Sequence, residues 1–99
     1  MRVTFDPRAR DDLDRIFASI AEDSPRAARG MISRIESKVL KLTVPGLAHM
    51  GRPRLVKGTR ELIEWPFIIV YRVSEDQQEI VIVTVVHGAQ ERSNWKAQS

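Results

Sequence analysis

Three apolar segments separated by short turns fill the C-terminal half of this chain and constrain its fold most strongly. They span residues 60–65, 67–73 and 80–87. Each is short for a helix, and β-branched and aromatic residues are common in them, so we predict three β-strands. Pro66 and the polar residues 74–79 supply the turns. Short turns favour a meander in which neighbouring strands run antiparallel.

The N-terminal half has the pattern of a short strand followed by two helices. Residues 2–5 alternate between polar and apolar side chains. Asp6-Pro7 and Asp23-Ser24-Pro25 are helix start signals, in which a capping side chain precedes a proline at the first helical position. Apolar residues then recur at i, i+3, i+4 and i+7. These residues are Leu13, Ile16, Phe17 and Ile20 in the first helix, and Ala28, Met31, Ile32, Ile35, Val39 and Leu42 in the second.

The predicted order is therefore β-α-α-β-β-β, an α+β fold in which a helical hairpin packs on a mostly antiparallel sheet. The 99 residues suit a single domain, 1–99, with one modest core. The chain has no cysteine, and its two histidines, His49 and His87, lie far apart, so we expect neither a metal site nor a cofactor. No apolar run approaches the about 20 residues of a membrane span, and the N-terminus lacks a signal core, which predicts a cytoplasmic protein.

The positive charge of the chain is concentrated in one stretch. Residues 41–60 contain five cations and no carboxylate, in a chain of net charge +3. The cations are Lys41, Arg52, Arg54, Lys57 and Arg60. Most of this stretch lies in a long connection over residues 43–59, and connections of such length are often functional. Two interpretations stay open, a solvated basic loop or a docking surface for an acidic protein segment or a phosphate backbone.

Further candidate binding or catalytic residues lie at strand ends and in the C-terminal tail. They are Trp65, Arg72, His87, Arg92 and Trp95, beside the three arginines and one lysine of residues 52–60. The indoles are candidate interface anchors. If the protein were a metal-independent ribonuclease, His87 would act as acid or base, and Arg72 and Arg92 would stabilise the phosphate.

Each of these residues also has an ordinary structural alternative. Arg60 could pair with Glu64, and Arg72 with Glu61 or Glu79. A histidine at a strand end often makes only a turn hydrogen bond.

Five segments follow one another along nearly the whole chain: FDPRARDDLDRIFASIAED, SPRAARGMISRIESKVLKL, GRPRLVKGTREL, IVYRV and VVHGAQER. In this order and spacing the chain resembles the ParE toxins of bacterial type II toxin–antitoxin systems, within the RelE/ParE superfamily. The resemblance implies a helical hairpin against an antiparallel sheet. It implies a ParD-like ribbon-helix-helix antitoxin as partner and DNA gyrase as target. Direct nucleic-acid binding is then expected only through the antitoxin complex.

The same resemblance raises an alternative, because RelE-type relatives cleave ribosome-bound mRNA. It implies an essential arginine early in the strand of residues 67–73, where this chain has Ile68. A second arginine of those nucleases falls at about Gln90, and a catalytic tyrosine at about Trp95 or Lys96. Of the cations in the nuclease pattern, this chain keeps only Arg92. Isoleucine carries no charge and donates no hydrogen bond to phosphate.

We therefore expect a toxin that inhibits gyrase by binding and has no catalytic residues of its own. The acidic side chains of the antitoxin are expected to meet the basic residues 52–60. His87 keeps the mRNA endonuclease open as the alternative, and a toxin that has kept only antitoxin binding is a third hypothesis.

Overall fold

Two helices and a five-stranded sheet make up the chain in its computed structural model, which describes residues 1–54 and 56–89. The candidates Arg92 and Trp95 lie outside the described residues, as do Gln90 and Lys96. The helices and strands are β1 (Arg2–Phe5), α1 (Pro7–Ala21), α2 (Pro25–Leu40), β2 (Arg52–Pro53), β3 (Arg60–Glu64), β4 (Phe67–Ser74) and β5 (Glu79–His87). One turn of 3-10 helix, Lys41–Thr43, follows α2.

The strand order in the sheet is β1-β5-β4-β3-β2. The β3, β4 and β5 strands form the predicted antiparallel meander, whereas β1 lies parallel to β5 at one edge. The α+β fold and the mostly antiparallel sheet are thus confirmed. One element is additional: the predicted connection contains the two-residue strand β2, which pairs antiparallel with β3.

Both helices begin where the sequence predicts. The Asp6 carboxylate accepts a hydrogen bond from the Arg8 N–H at 3.1 Å, and the Ser24 hydroxyl accepts one from the Ala27 N–H at 3.1 Å. A proline follows each cap at the start of the helix, where a backbone N–H has no acceptor within the helix. The missing N–H of proline therefore costs no hydrogen bond there. Leu42 is buried as predicted, but it lies in the 3-10 turn after α2. Phe17 differs from expectation, because it is 37% exposed at the edge of the α1 stripe.

The core lies between the helical hairpin and one face of the sheet. Every second residue of β4 points into it, namely Phe67, Ile69 and Tyr71. On β5 a bulge interrupts this alternation, since Val70 pairs with Thr84 while the next residue of β4 pairs with Ile82. The extra residue, Val83, lets Ile82 and Val85 both face the helices although they are three positions apart.

The Asp12 side chain of α1 closes the edge of β5 beyond the end of β1. The last partner of β1 on β5 is Ile82, so the following residues of β5 have no neighbouring strand there. The Asp12 carboxylate accepts a hydrogen bond from the Val85 N–H at 3.0 Å and another from the Thr84 hydroxyl. A helix side chain thus satisfies a backbone donor that a longer β1 would have bound.

Hydrogen bonds at Gly51 hold the long connection of residues 43–59 against the sheet. The Gly51 N–H donates to the hydroxyl oxygen of the fully buried Tyr71 at 2.9 Å. Arg60 donates from its guanidinium to the carbonyls of Gly51 at 2.8 Å and His49 at 3.0 Å. A side chain at Gly51 would begin 2.6 Å from the Glu61 carbonyl oxygen. The glycine is therefore required by close approach of two backbone segments.

We expect Asp12→Ala to lower the free energy of unfolding by about 2 kcal/mol, because it leaves the buried Val85 N–H without an acceptor. Chemical denaturation measures this change. Asp14→Ala is the matched control, since Asp14 is exposed on the same helix, and it should change stability by less than about 0.5 kcal/mol. Equal stability of the two variants would show that the edge contact contributes nothing.

Gly51→Ala should destabilise the fold by about 3 kcal/mol, because the new methyl group meets backbone and a buried phenol that cannot move aside. Gly30→Ala is its counterpart within α2, where nothing lies within 4 Å of the added carbon. That variant should gain about 0.5–1 kcal/mol from the better helix propensity of alanine. Urea unfolding of both proteins tests the pair, and an unchanged midpoint for Gly51→Ala would contradict the close approach.

Candidate partner-binding surface

One face of the sheet carries no helix in the part of the chain that the structure describes. The alternation that points Phe67, Ile69 and Tyr71 toward the helical hairpin points their neighbours on β4 the other way. We call this the open face. By strand pairing it contains Glu61 and Ile63 of β3, Ile68, Val70, Arg72 and Ser74 of β4, and Glu79, Val81, Thr84 and Val86 of β5, of which Val70, Val81 and Thr84 are buried.

An apolar row crosses the open face near the β3–β4 turn. Ile68 pairs with Ile63 on one side and with Val86 on the other. Trp65 continues this row with a side chain that is 72% exposed, while Ile63 is 38% exposed. The indole of Trp65 lies against Gly88, whose N–H donates to the Pro66 carbonyl at 2.8 Å. The result is an apolar corner of Ile63, Trp65, Ile68 and Val86 that solvent reaches.

Ile68 occupies the middle of this row, and its surroundings offer no group that could hold a phosphate. The neighbouring positions on both adjacent strands are aliphatic. At the position that the resemblance assigns to a nuclease arginine, the open face is therefore uncharged. What this part of the surface offers a partner is apolar contact area.

His87 and Arg72 lie on opposite faces of the sheet. His87 pairs with Phe67 and packs edge-on against its ring, with centroids 5.5 Å apart, on the helix side. Its Nδ1 accepts a hydrogen bond from the Ala89 N–H at 3.1 Å. Arg72 is on the open face, five residues along β4 from Phe67, which is roughly 16 Å of strand. The two side chains do not converge on one reacting group.

The arginines of the connection are largely occupied by contacts within the chain. Arg52 and Arg54 both donate to the Glu61 carboxylate, each at 2.8 Å. Arg60 binds backbone carbonyls, so the alternative pair with Glu64 does not form. Lys57 is exposed at the tip of the β2–β3 hairpin. The basic stretch, which the sequence leaves open as a solvated loop or a docking surface, is thus partly neutralised by one carboxylate.

Arg72 is an exposed cation of the open face. Glu61 binds Arg52 and Arg54, and Glu79 pairs with Arg2 at 3.4 Å, so neither of the carboxylates expected beside Arg72 contacts it. No other carboxylate lies within 4 Å of it among the described residues. Arg72 is therefore available to an anionic group.

Tyr71 is a structural residue rather than an acid or base. Burial raises the pKa of its phenol, and this effect outweighs the Gly51 N–H and the Arg60 charge, which lower it. The hydroxyl faces the connection on the helix side and already accepts the Gly51 bond. It stays a neutral phenol near pH 7 and holds the connection in place.

Within residues 1–54 and 56–89, no three His, Asp or Glu side chains gather closely enough to hold a metal ion. No helix in the same described ranges has the length and apolar content needed to cross a membrane.

A second charged feature lies on α2, which counting charges along the sequence does not reveal. Residues 1–40 have nearly balanced charge, and this balance hides a cluster on one helix face. Arg34, Lys38 and Lys41 recur at i, i+4 and i+7, the spacing that places side chains on one side of a helix. Together with Ser33, Ser37 and Glu64 they line a groove of about 170 Å³ between α2 and the end of β3.

Comparison with known proteins places this fold and surface in one family. The family model described as the ParE toxin of the type II toxin–antitoxin system parDE matches residues 3–92. A chromosomal ParDE system from P. aeruginosa is 29% identical at a TM-score of 0.75, covering 88% of this chain and 95% of that one. No curated protein matches the chain.

Two RelE-type structures resemble the chain less closely. The RelBE2 toxin–antitoxin complex from Mycobacterium tuberculosis is 25% identical at a TM-score of 0.61, and covers 87% of this chain and 95% of that one. The isolated E. coli RelE toxin has the same TM-score over 96% of both chains but only 11% identity, which shows the common fold alone. With the family model matched over most of its length, the chain belongs to the ParE toxins of type II toxin–antitoxin systems.

Proposed function

We propose that this toxin acts by binding its target and not by cleaving RNA, and that the target is DNA gyrase. We further propose that a ParD-like antitoxin neutralises the toxin in the cytoplasm. This antitoxin has a ribbon-helix-helix DNA-binding part. The observation that carries the proposal is the apolar row through Ile68 on the open face. A partner protein can bury such a row, whereas a phosphodiester cannot use it.

The separation of the candidate catalytic groups supports the same choice. General acid–base cleavage of RNA needs an acid or base and a cation within hydrogen-bond reach of one phosphate. His87 packs against Phe67 on the helix side, and Arg72 lies on the other face. Bringing the two together would require the sheet to be taken apart.

The apolar corner has the composition of a protein interface. Tryptophan is among the residues that contribute most to binding when a partner removes them from water, and aliphatic neighbours exclude water around it. Trp65 is the most exposed large apolar side chain in the described residues. Arg72 lies on the same face and forms no ion pair among the described residues, so the surface suits a protein patch that is apolar with an acidic margin.

An antitoxin partner is supported by the family and by the relatives. The family model and the P. aeruginosa protein are both from toxin–antitoxin systems, and the M. tuberculosis structure is a toxin–antitoxin complex. A toxin that inhibits by contact is switched off when another protein occupies or distorts the contacting surface. Neutralisation by binding therefore fits a toxin that itself acts by binding.

The purified toxin should inhibit supercoiling by purified gyrase, and the antitoxin encoded beside its gene should restore the activity. We expect Trp65→Ala to weaken inhibition by about tenfold or more, because it removes the central indole of the apolar corner. The inhibitor concentration that halves supercoiling is the measurement.

Val56→Ala is the control for that variant, since Val56 is 65% exposed at the tip of the β2–β3 hairpin. It should inhibit as the unmodified toxin does. Supercoiling that continues at a large molar excess of folded toxin would overturn gyrase as the target. Equal inhibition by Trp65→Ala and the unmodified toxin would overturn the apolar corner as the contact.

A further inference from the structure

The groove beside α2 contains three cations that form no ion pair among the described residues. Arg34, Lys38 and Lys41 line it over two turns of helix. In the part of the chain that the structure describes, no carboxylate lies within 4 Å of any of them, although Arg52 and Arg54 share Glu61 elsewhere. The guanidinium of Arg34 donates to the Met31 sulfur at 3.7 Å.

The helix itself holds these charges in position. Ile35 and Val39 are buried on the opposite side of α2, so packing of the core fixes which way the cations point. Ser33 and Ser37 place two hydroxyls on the same wall of the groove. Lysine and arginine four residues apart repel each other. An anion bound between them would relieve the repulsion and accept charge-assisted hydrogen bonds.

The surroundings of the groove favour an acidic peptide over a nucleic acid. Glu64 forms the far wall, and it would repel a continuous phosphate backbone. A peptide can instead give carboxylates to the cations and an N–H or hydroxyl to Glu64. Leu40, next to Lys41 in the chain, is 62% exposed. A leucine or alanine side chain between acidic residues could cover Leu40.

We propose that this groove binds an acidic segment of the antitoxin, with carboxylates on Arg34, Lys38 and Lys41 and an apolar side chain toward Leu40. The proposal rests on the proposed function for the existence of that partner. It moves the electrostatic contact from the partly neutralised residues 52–60 to α2. Charges of this kind mainly accelerate association and make it sensitive to salt.

The test compares two variants that lose equal charge. The groove variant is Arg34→Gln, Lys38→Gln and Lys41→Gln. The control variant is Arg8→Gln, Arg26→Gln and Arg29→Gln, three exposed arginines with no ion pair among the described residues. Circular dichroism and thermal unfolding check that both fold. The association rate with the antitoxin encoded beside the gene is then measured at low and high salt.

We expect the groove variant to associate about tenfold more slowly at low salt, with a weaker salt dependence, and the control variant to stay close to the unmodified toxin. Equal rates for the two variants would overturn the groove while leaving the proposed function intact. An antitoxin that fails to bind even the unmodified toxin would instead refute the proposed partner.

A probe that does not depend on the antitoxin addresses the groove directly. A capped synthetic peptide in which glutamates alternate with leucine and alanine is titrated into isotope-labelled toxin. The backbone amide signals of residues 33–41 should shift, and the same peptide with glutamine for glutamate should leave them unchanged. No shift with the acidic peptide, or a larger one with double-stranded DNA of random sequence, would contradict an acidic-peptide site.

Discussion

The packing of β4 against the helical hairpin is the constraint on which the other features of this toxin depend. This packing buries Phe67, Ile69 and Tyr71 in the core. Because successive side chains of a strand point to opposite faces, it also determines which residues form the open face. Ile68 and Arg72 therefore point away from the helices, and His87, which pairs with Phe67, lies on the helix side.

The proposed mode of action follows from that division. The same sheet can present a phosphate-binding surface if its outward positions are cationic and close together. Here the outward positions near the β3–β4 turn are Ile63, Ile68 and Val86, and the exposed cation of β4 lies farther along the strand. The fold shared with the RelE toxin therefore does not decide the chemistry of this chain, because function depends on the side chains and not on the backbone.

Local signals made most of the fold predictable. The caps Asp6 and Ser24, each followed by proline, define where the helices begin, and Pro66 with residues 74–79 separates the strands. The contacts that could not be predicted from the sequence join residues that lie far apart in the chain. Asp12 meets Thr84 and Val85 across more than seventy positions, and only the end of β1 at Phe5 explains why β5 needs an acceptor there.

The candidate site was predictable to a smaller degree for the same reason. The mismatch at Ile68 is visible in the sequence, but its apolar neighbours depend on strand register. The ion pairs of the connection could not be predicted, because Arg52 and Arg54 contact Glu61 only after β2 and β3 pair. The grouping of Arg34 and Lys38 with Lys41 was missed, because these cations cluster by helical spacing and not by adjacency in the chain.

Mapping of mRNA ends on translating ribosomes tests most directly whether the toxin acts without catalysis. Purified toxin is added to a translation reaction, and the ends of the message are compared with those in its absence. The account predicts no new ends at toxin concentrations that stop supercoiling. Defined new ends that disappear with His87→Ala would contradict it and would make this protein a ribonuclease.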